Sequence, residues 1–293
     1  MKGWVADIGL FYCAAVWGAT FYMVKGALGA VDAVALVSFR FLVSAFLLLP
    51  WVLAKKNRLR LLKESAILAF ILGTLYLTQT IGLQYTSAAN SGFITGLFVI
   101  FVPVFLLLFF RKPPTPLQWF AAGLALAGLW LLTGGIAEFN RGDGWTIFAA
   151  ITYAAHLLAT DKYVRAEADT VLLAFHQFWM VGLFSLVLCL AGGRPLSVGS
   201  WKAWETILFL ALFPTLSAFY IQMVAQKNTA PVKVSLIFSL EPVFAALFAW
   251  TLGGEPFLLA RAGGGALIVA AMVVGELSKI AAFRGRKKEV AAA

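Results

Sequence analysis

Glu241-Pro242-Val243-Phe244 lies inside a long apolar run, and its last three residues repeat Pro103-Val104-Phe105 at an offset of 139. The match is not isolated. Asp32, Val34, Leu36 and Phe41 return as Asp169, Val171, Leu173 and Phe178 at an offset of 137. Asp7 returns as Asp143 at an offset of 136, a register that sets Trp17 opposite Tyr153. Offsets that drift by a few residues are what loop insertions between duplicated helices produce. The chain therefore reads as two copies, 1–135 and 136–293.

Each copy holds five apolar runs. A span of the hydrocarbon core needs about 20 mostly apolar residues. Ten stretches approach that: 7–24, 33–53, 65–83, 87–110, 117–134, 143–160, 171–190, 204–225, 233–252 and 259–278. An odd number of spans per copy sends the second copy into the membrane from the opposite side. The expected fold is thus all-α and integral to the membrane, ten transmembrane helices as two inverted five-helix repeats around a central cavity. Inverted repeats of this kind hold solute near the midplane and work by alternating access.

Composition agrees. Hydrophobic residues make up 62% of the 293 positions and charged ones 12%, with mean hydropathy +0.90, outside the range of soluble domains. The formal charge of +10 invites a nucleic-acid partner, but the placement of the cations argues against one. With the N-terminus cytoplasmic, 17 Lys and Arg fall on that side, among them the 54–64 loop and the tail from Lys279 to Lys288. The other side has 5: Lys25, Arg141, Arg194, Lys202 and Arg261. This is the positive-inside bias, and it places both termini in the cytoplasm of a bacterial-type inner membrane. The first segment matches the sixth and carries Asp7, so it reads as a retained span rather than a signal peptide. Cys13 and Cys189 have no partner at metal or redox spacing and read as packing residues.

Small residues recur in the fifth and tenth spans, at Ala121, Ala122, Gly123, Ala125, Ala127 and Gly128 and from Ala262 to Ala266. Such stretches let helices approach closely in lipid. Packing within the chain is the first reading, and a homodimer face the second.

Chemistry should reside in polar groups buried inside spans, where they are costly. Twelve of the 13 acidic residues sit at helix ends; Glu241 lies near the middle of the ninth span, directly before Pro242. Arg40 is its counterpart in the second span. Their repeat partners, Val102 and Gln177, are uncharged. One reading makes Arg40 and Glu241 a structural ion pair or two separately satisfied groups. The other makes them a receptor for a polar or zwitterionic solute, or makes Glu241 a carboxylate that titrates during transport. Proline after Glu241 removes a backbone donor and disfavours helical geometry before it, which weights that position toward function. His156, aligned with Thr20, reads as a buried hydrogen-bonding residue or a proton relay. Gln79, Gln84, Asn90, Gln177 and Gln222 add neutral polar groups, and Trp17, Tyr76, Tyr153, Trp179 and Tyr220 lie deep enough to pack or to stack on a solute. Trp4, Trp51, Trp145, Trp201 and Trp204 fall at the interfaces, as an aromatic belt requires. The candidates for substrate binding or coupling are Trp17, Arg40, Tyr76, Gln79, Tyr153, His156, Gln177, Tyr220 and Glu241.

No phosphate-binding loop, His-Glu-x-x-His or Cys/His cluster occurs, so no catalytic residue, metal or cofactor is expected, and the chain reads as a non-enzyme. A lipid-modifying membrane enzyme is the alternative from another class. With no ATP-hydrolysing part, uphill transport would draw on a gradient.

Four segments carry a resemblance. Trp17-Gly18-Ala19-Thr20-Phe21 with Arg40, Tyr85-Thr86-Ser87-Ala88-Ala89-Asn90, Ser239-Leu240-Glu241-Pro242-Val243-Phe244, and Leu252-Gly253-Gly254-Glu255 resemble EamA-type transporters of the drug/metabolite transporter superfamily. The likeness spans the chain and is nearest to YddG-like amino-acid exporters. The first copy departs from it by ending its fourth span in Arg111-Lys112-Pro113-Pro114, without a Gly-Glu, and by having about three extra residues before Pro103. The resemblance implies export of neutral and aromatic amino acids. A sugar-phosphate, nucleotide-sugar or drug as cargo would keep the same fold. The expected partners are a small-molecule substrate and the lipid bilayer.

Overall fold

The computed structural model describes residues 3–133, 140–166, 168–251, 257–271 and 273–274, and every regular element among them is helical. Glu138, Glu167, the Leu252–Glu255 motif, Glu276, Glu289, the basic tail and the 135/136 boundary lie outside the described residues. The order is α1 (Gly3–Ala27), α2 (Ala33–Leu53), α3 (Leu62–Tyr85), α4 (Ala88–Gly96), α5 (Phe98–Phe110), α6 (Pro116–Thr133), α7 (Arg141–Arg165) and α8 (Thr170–Ala191). Then come α9 (Trp201–Leu210), a π-helical segment (Ala211–Ser217), α10 (Ala218–Gln226), α11 (Pro231–Phe238), α12 (Glu241–Thr251) and α13 (Leu259–Ala271).

Among the described residues, seven helices are long and apolar enough to cross a membrane. Two further apolar helices, α6 and α13, are shorter. The sequence expectation of ten is met in seven cases: α6 and α13 are shorter, and α7 has 25 residues but carries Arg141, Asp143, Asp161, Lys162 and Arg165 near its ends. The protein is a multi-pass membrane protein. Lipid offers no hydrogen bonds, so helix ends must be satisfied by the chain itself. Asp32 caps α2 by accepting from the N–H groups of Val34 and Ala35, and its repeat mate Asp169 caps α8 through Val171 and Leu172. Asn140 and Asp143 form a reciprocal capping box at the start of α7.

Packing is reciprocal between the two copies. At the centre α2 lies along α8, with Phe41 and Phe178 5.7 Å apart and Leu42 against Gly182. α1 packs on the α9–α10 rod while α7 packs on α3; α1 also meets α11 and α12, as α7 meets α4 and α5. The small-residue stretches meet each other within the chain. A side chain on Gly128 would strike the carbonyl of Gly264, whereas Gly123 and Gly263 face open space. Large apolar residues such as Phe46, Phe70 and Phe109 are exposed, as lipid-facing positions require, and Trp4, Trp51, Trp145 and Trp201 stand exposed near helix ends.

Both ends of the bundle are tied by polar contacts. At one end Lys55 bonds Asp169, Lys233 bonds Asp7, and Arg165 donates to the carbonyl of Thr229. His176 Nδ1 accepts from Trp179, which leaves Nε2 to donate to the carbonyl of Arg58 and pins the 54–64 loop to α8. At the other end Arg194 pairs with Asp32, Thr86 donates to Asp143, and Lys25 donates to the carbonyls of Leu83 and Thr86.

Candidate functional site

Glu241 owes its position to a break in a helix. The α11 rod ends at Phe238, the N–H of Leu240 folds back to the carbonyl of Ile237, and α12 starts at Glu241. This tight turn is of 3₁₀ type. Pro242 falls at the second position of α12, where its missing N–H has no partner to lose. The carboxylate therefore stands at a helix N-terminus in mid-bundle, where the macrodipole favours negative charge. Gly18 of α1 makes the break fit, since a Cβ there would lie 2.6 Å from the carbonyl oxygen of Glu241.

Pro103 lies elsewhere in its helix. The first copy breaks at Leu97, with the N–H of Leu97 folding back to Ile94, and α5 starts at Phe98, five residues before Pro103. Aligned on the breaks, the residue opposite Glu241 is Phe98, not Val102. The extra residues before Pro103 account for the shift.

Around Glu241 the helices close a small cavity lined by Trp17, Thr20, Leu75, Tyr76, Gln79, Tyr153, Phe219 and Glu241. Its free volume of about 20 Å³ has room for one water. The walls are aromatic. Trp17 meets Tyr153 edge-on at 6.2 Å and Phe238 at 4.8 Å, and Tyr153 stacks on Phe98 at 4.3 Å. Trp17 is held by its indole N–H, which donates to the carbonyl of Pro214 at 2.7 Å. That carbonyl belongs to the π segment, whose irregular backbone takes outside partners: Ser44 donates to Ala211, and just past the segment Cys13 donates to Ala218 of α10.

Glu241 is only loosely engaged. The hydroxyl of Tyr153 donates to its Oε2 at 3.4 Å, beyond the usual O–H···O range. Among the described residues no ion pair joins it to Arg40. Arg40 is buried behind Tyr76, its guanidinium 4.5 Å from the centre of that ring, donating to the Tyr76 hydroxyl and to Thr215. The ion-pair alternative raised by the sequence is thus not realised.

Of the nine candidates, Trp17, Tyr76, Gln79, Tyr153 and Glu241 meet at the cavity, and Arg40 supports it from behind. Gln79 donates to Thr95. His156 and Gln177 bond each other at 3.1 Å, beside Phe219 but outside the cavity lining. Tyr220 is 40% exposed and turned away, because α10 gives its inward face to Phe219 and Gln222. Sequence reasoning missed Phe219, Leu75 and Thr215. Thr20 stood in the aligned register beside His156, which was the available signal. Thr215 follows a proline inside a span, the mark of an irregular helix. No metal cluster occurs among the described residues.

Three comparisons bear on what this arrangement is. The chain is 29% identical to an uncharacterized transporter of Archaeoglobus fulgidus, over 94% of this chain and 87% of that protein. It is 23% identical to the uncharacterized inner membrane transporter YedA of Escherichia coli K12, over 84% and 82%, and 22% identical to the uncharacterized transporter YdfC of Bacillus subtilis, over 90% of each. One crystal structure superposes with a TM-score of 0.79 at 19% identity, covering 93% of this chain and 97% of that one, a likeness of fold. The model of the EamA-like transporter family matches twice, at residues 4–134 and 140–274. With a helical membrane bundle closed around a buried carboxylate, and that model matched over nearly all its length, the chain belongs to the EamA-like transporter family and is a membrane transporter.

Proposed function

We propose that this transporter exports small solutes, above all neutral and aromatic amino acids, by alternating access between two inverted five-helix repeats, 1–135 and 136–293. The observation that carries the reading is Glu241, a buried carboxylate with one long hydrogen bond, set in an aromatic box at mid-depth. Burying a carboxylate without a cation is costly, so a cationic group of the cargo is its natural partner. An ammonium at Glu241 would leave an amino-acid side chain against Trp17, Tyr153 and Phe219. The amide of Gln79 and the hydroxyl of Tyr76 are then the donors nearest the solute's carboxylate. Phosphorylated cargo fits poorly, because Arg40, the one buried Arg among the described residues, is already engaged by Tyr76 and Thr215.

The reciprocal packing and the double match of the family model support the inverted repeats, with ten helices in all. A cavity with room for one water is too small for an amino acid, so helices must part to admit cargo, as alternating access requires. The positive-inside bias supports two cytoplasmic termini in an inner membrane, and the open faces of Gly123 and Gly263 leave space for a homodimer. The same carboxylate and aromatic walls would also suit an organic cation through cation–π contact.

Counterflow in proteoliposomes across a solute panel tests the cargo. Competition by phenylalanine, tryptophan or threonine is the expected result. A phosphorylated solute competing while every neutral amino acid fails would overturn it, and a hydrophobic amine competing alone would favour the cation. Cysteine labelling should place 54–64 and 191–203 on opposite faces; labelling from the same face would remove the inverted repeat.

A further inference from the structure

Six buried side-chain polar atoms among the described residues lack a partner, and three of them sit on α7, α8 and α10, helices bonded to one another: Thr160 Oγ1, Gln177 Nε2 and Gln222 Oε1. They belong to one ribbon. Phe219 is at once a wall of the cavity and the ring against which His156 stands at 5.8 Å. His156 bonds Gln177. One turn further along α7 is Thr160, and one turn further along α10 from Phe219 is Gln222. Gln222 donates to Gln226, which donates to the carbonyl of Leu157 and so ties α10 to α7. A turn beyond, Val164, Arg165, Lys227 and Asn228 line a polar cleft at the end of the bundle that carries Lys55 and Asp169.

The chemistry of the ribbon is not that of packing. His156, Thr160, Gln177, Gln222 and Gln226 are all at most 1% exposed, and unpaired buried polar atoms cost about 1–3 kcal/mol each. A threonine inside a helix ordinarily returns its hydroxyl to the carbonyl four residues back. Thr74, Thr78, Thr146, Thr152 and Thr206 all do so, and Thr160 does not. A donor, an acceptor and a hydroxyl left open on three helices that bond one another offer the two to four partners that a buried water takes.

We propose that this ribbon is a hydrated passage joining the Glu241 cavity to the face that carries Lys55 and Asp169, closed to solute in the present conformation and taking water and neutral or zwitterionic polar groups. It rests on the reading of the Glu241 cavity as the solute site. Its first test needs no cargo.

In full-length protein with Cys13 and Cys189 replaced by Ala, single cysteines at Thr160, Gln222 and Leu10 are exposed to a small charged thiol reagent at the Lys55 face. Leu10 is equally buried but sits in the apolar core. T160C and Q222C should react about ten-fold faster than L10C, since thiols react with polar reagents only where water reaches them. Rates no faster than that of L10C would overturn the passage, whatever the cargo. A second pair of variants, T160V and Q222L, removes the open polar atoms while keeping shape. Melting of T160V in detergent should hold or rise, because an unpaired polar atom is lost, whereas Q222L also strips the donor from Gln226 and should melt lower; counterflow slows about ten-fold or more in both. Full counterflow in both variants would overturn the proposal even if the labelling were fast.

Discussion

Among the described residues a membrane helix is broken at two places, after Gly96 and after Phe238, by the same backbone device: an N–H folded back three residues and a new helix beginning at once. At the first break α5 opens with Phe98, which stacks on Tyr153. At the second α12 opens with Glu241, which reaches the hydroxyl of the same Tyr153. The duplicated backbone brings two helix starts to the same tyrosine, and only one of them is charged and lines the cavity. Shape thus comes from the repeat, and chemistry from the place where the copies diverge.

The strongest way to break this contrast is to remove the charge. Glu241→Gln keeps the shape and the helix start but loses the anion. Truncating one side of a buried charge pair costs about 2–5 kcal/mol, so counterflow should fall at least about 30-fold while expression and melting in detergent stay near wild type. Wild-type rates in a folded mutant would show that the two breaks are equivalent and that the carboxylate is scaffold.

Next in size is the fit of the breaks against their neighbours. Gly18→Ala would put a Cβ 2.6 Å from the carbonyl oxygen of Glu241 and 2.8 Å from Phe244 Cβ, with backbone in the way. Overpacking of this kind costs about 1–3 kcal/mol, read as a lowered melting temperature. Gly96→Ala meets only the flexible end of Leu129, at 3.0 Å, and should cost less. Equal costs would mean that the charged break is no tighter than the apolar one.

Trp17→Ala tests the aromatic wall by ratio rather than by rate. Loss of folded protein scales all cargoes alike, whereas loss of ring contact weakens phenylalanine and tryptophan more than alanine and threonine, by about 0.5–1.5 kcal/mol in apparent affinity. Equal losses would return Trp17 to packing, held by Pro214.

How much of this was legible in the sequence follows from the kind of signal each residue carries. Span lengths, the drift of the repeat and the isolation of Glu241 among end-placed acids are one-dimensional, and they pointed to the membrane bundle and to the cavity. The Pro-Val-Phe tripeptides were misleading in detail. A proline marks a perturbed helix without saying whether it starts one, as Pro242 does, or sits inside one, as Pro103 does. Arg40 and Glu241 stood out as two charges, but whether they touch depends on Tyr76 lying beside one of them, a fact of packing. Tyr220 and Phe219 are neighbours in sequence and opposites in space. A uniformly apolar helix gives no phase by which to choose between them, since lipid and core ask for the same residues.

The smallest effect contrasts the two repeat-related caps. Asp169 and Asp32 each cap a helix and each hold a cation, Lys55 at one face and Arg194 at the other. Partial burial of Asp169 opposes its ionisation. The bonds from Lys55 and from the N–H groups of Leu172 and Val171 outweigh that and hold its carboxyl below the usual range. A carboxylate with a depressed pKa in the folded state contributes stability that is complete above its unfolded value of about 3.9 and fades as the pH falls through the folded one. The pair is about one-third exposed on each side, so solvent screens it and the contribution stays within about 1 kcal/mol. Asp169→Asn retains a good capping side chain and removes the charge. Melting temperature against pH should then be slightly lower than wild type near pH 7, with the two curves converging below about pH 4. Curves that stay parallel down to the lowest pH would show that the contact with Lys55 contributes no stability.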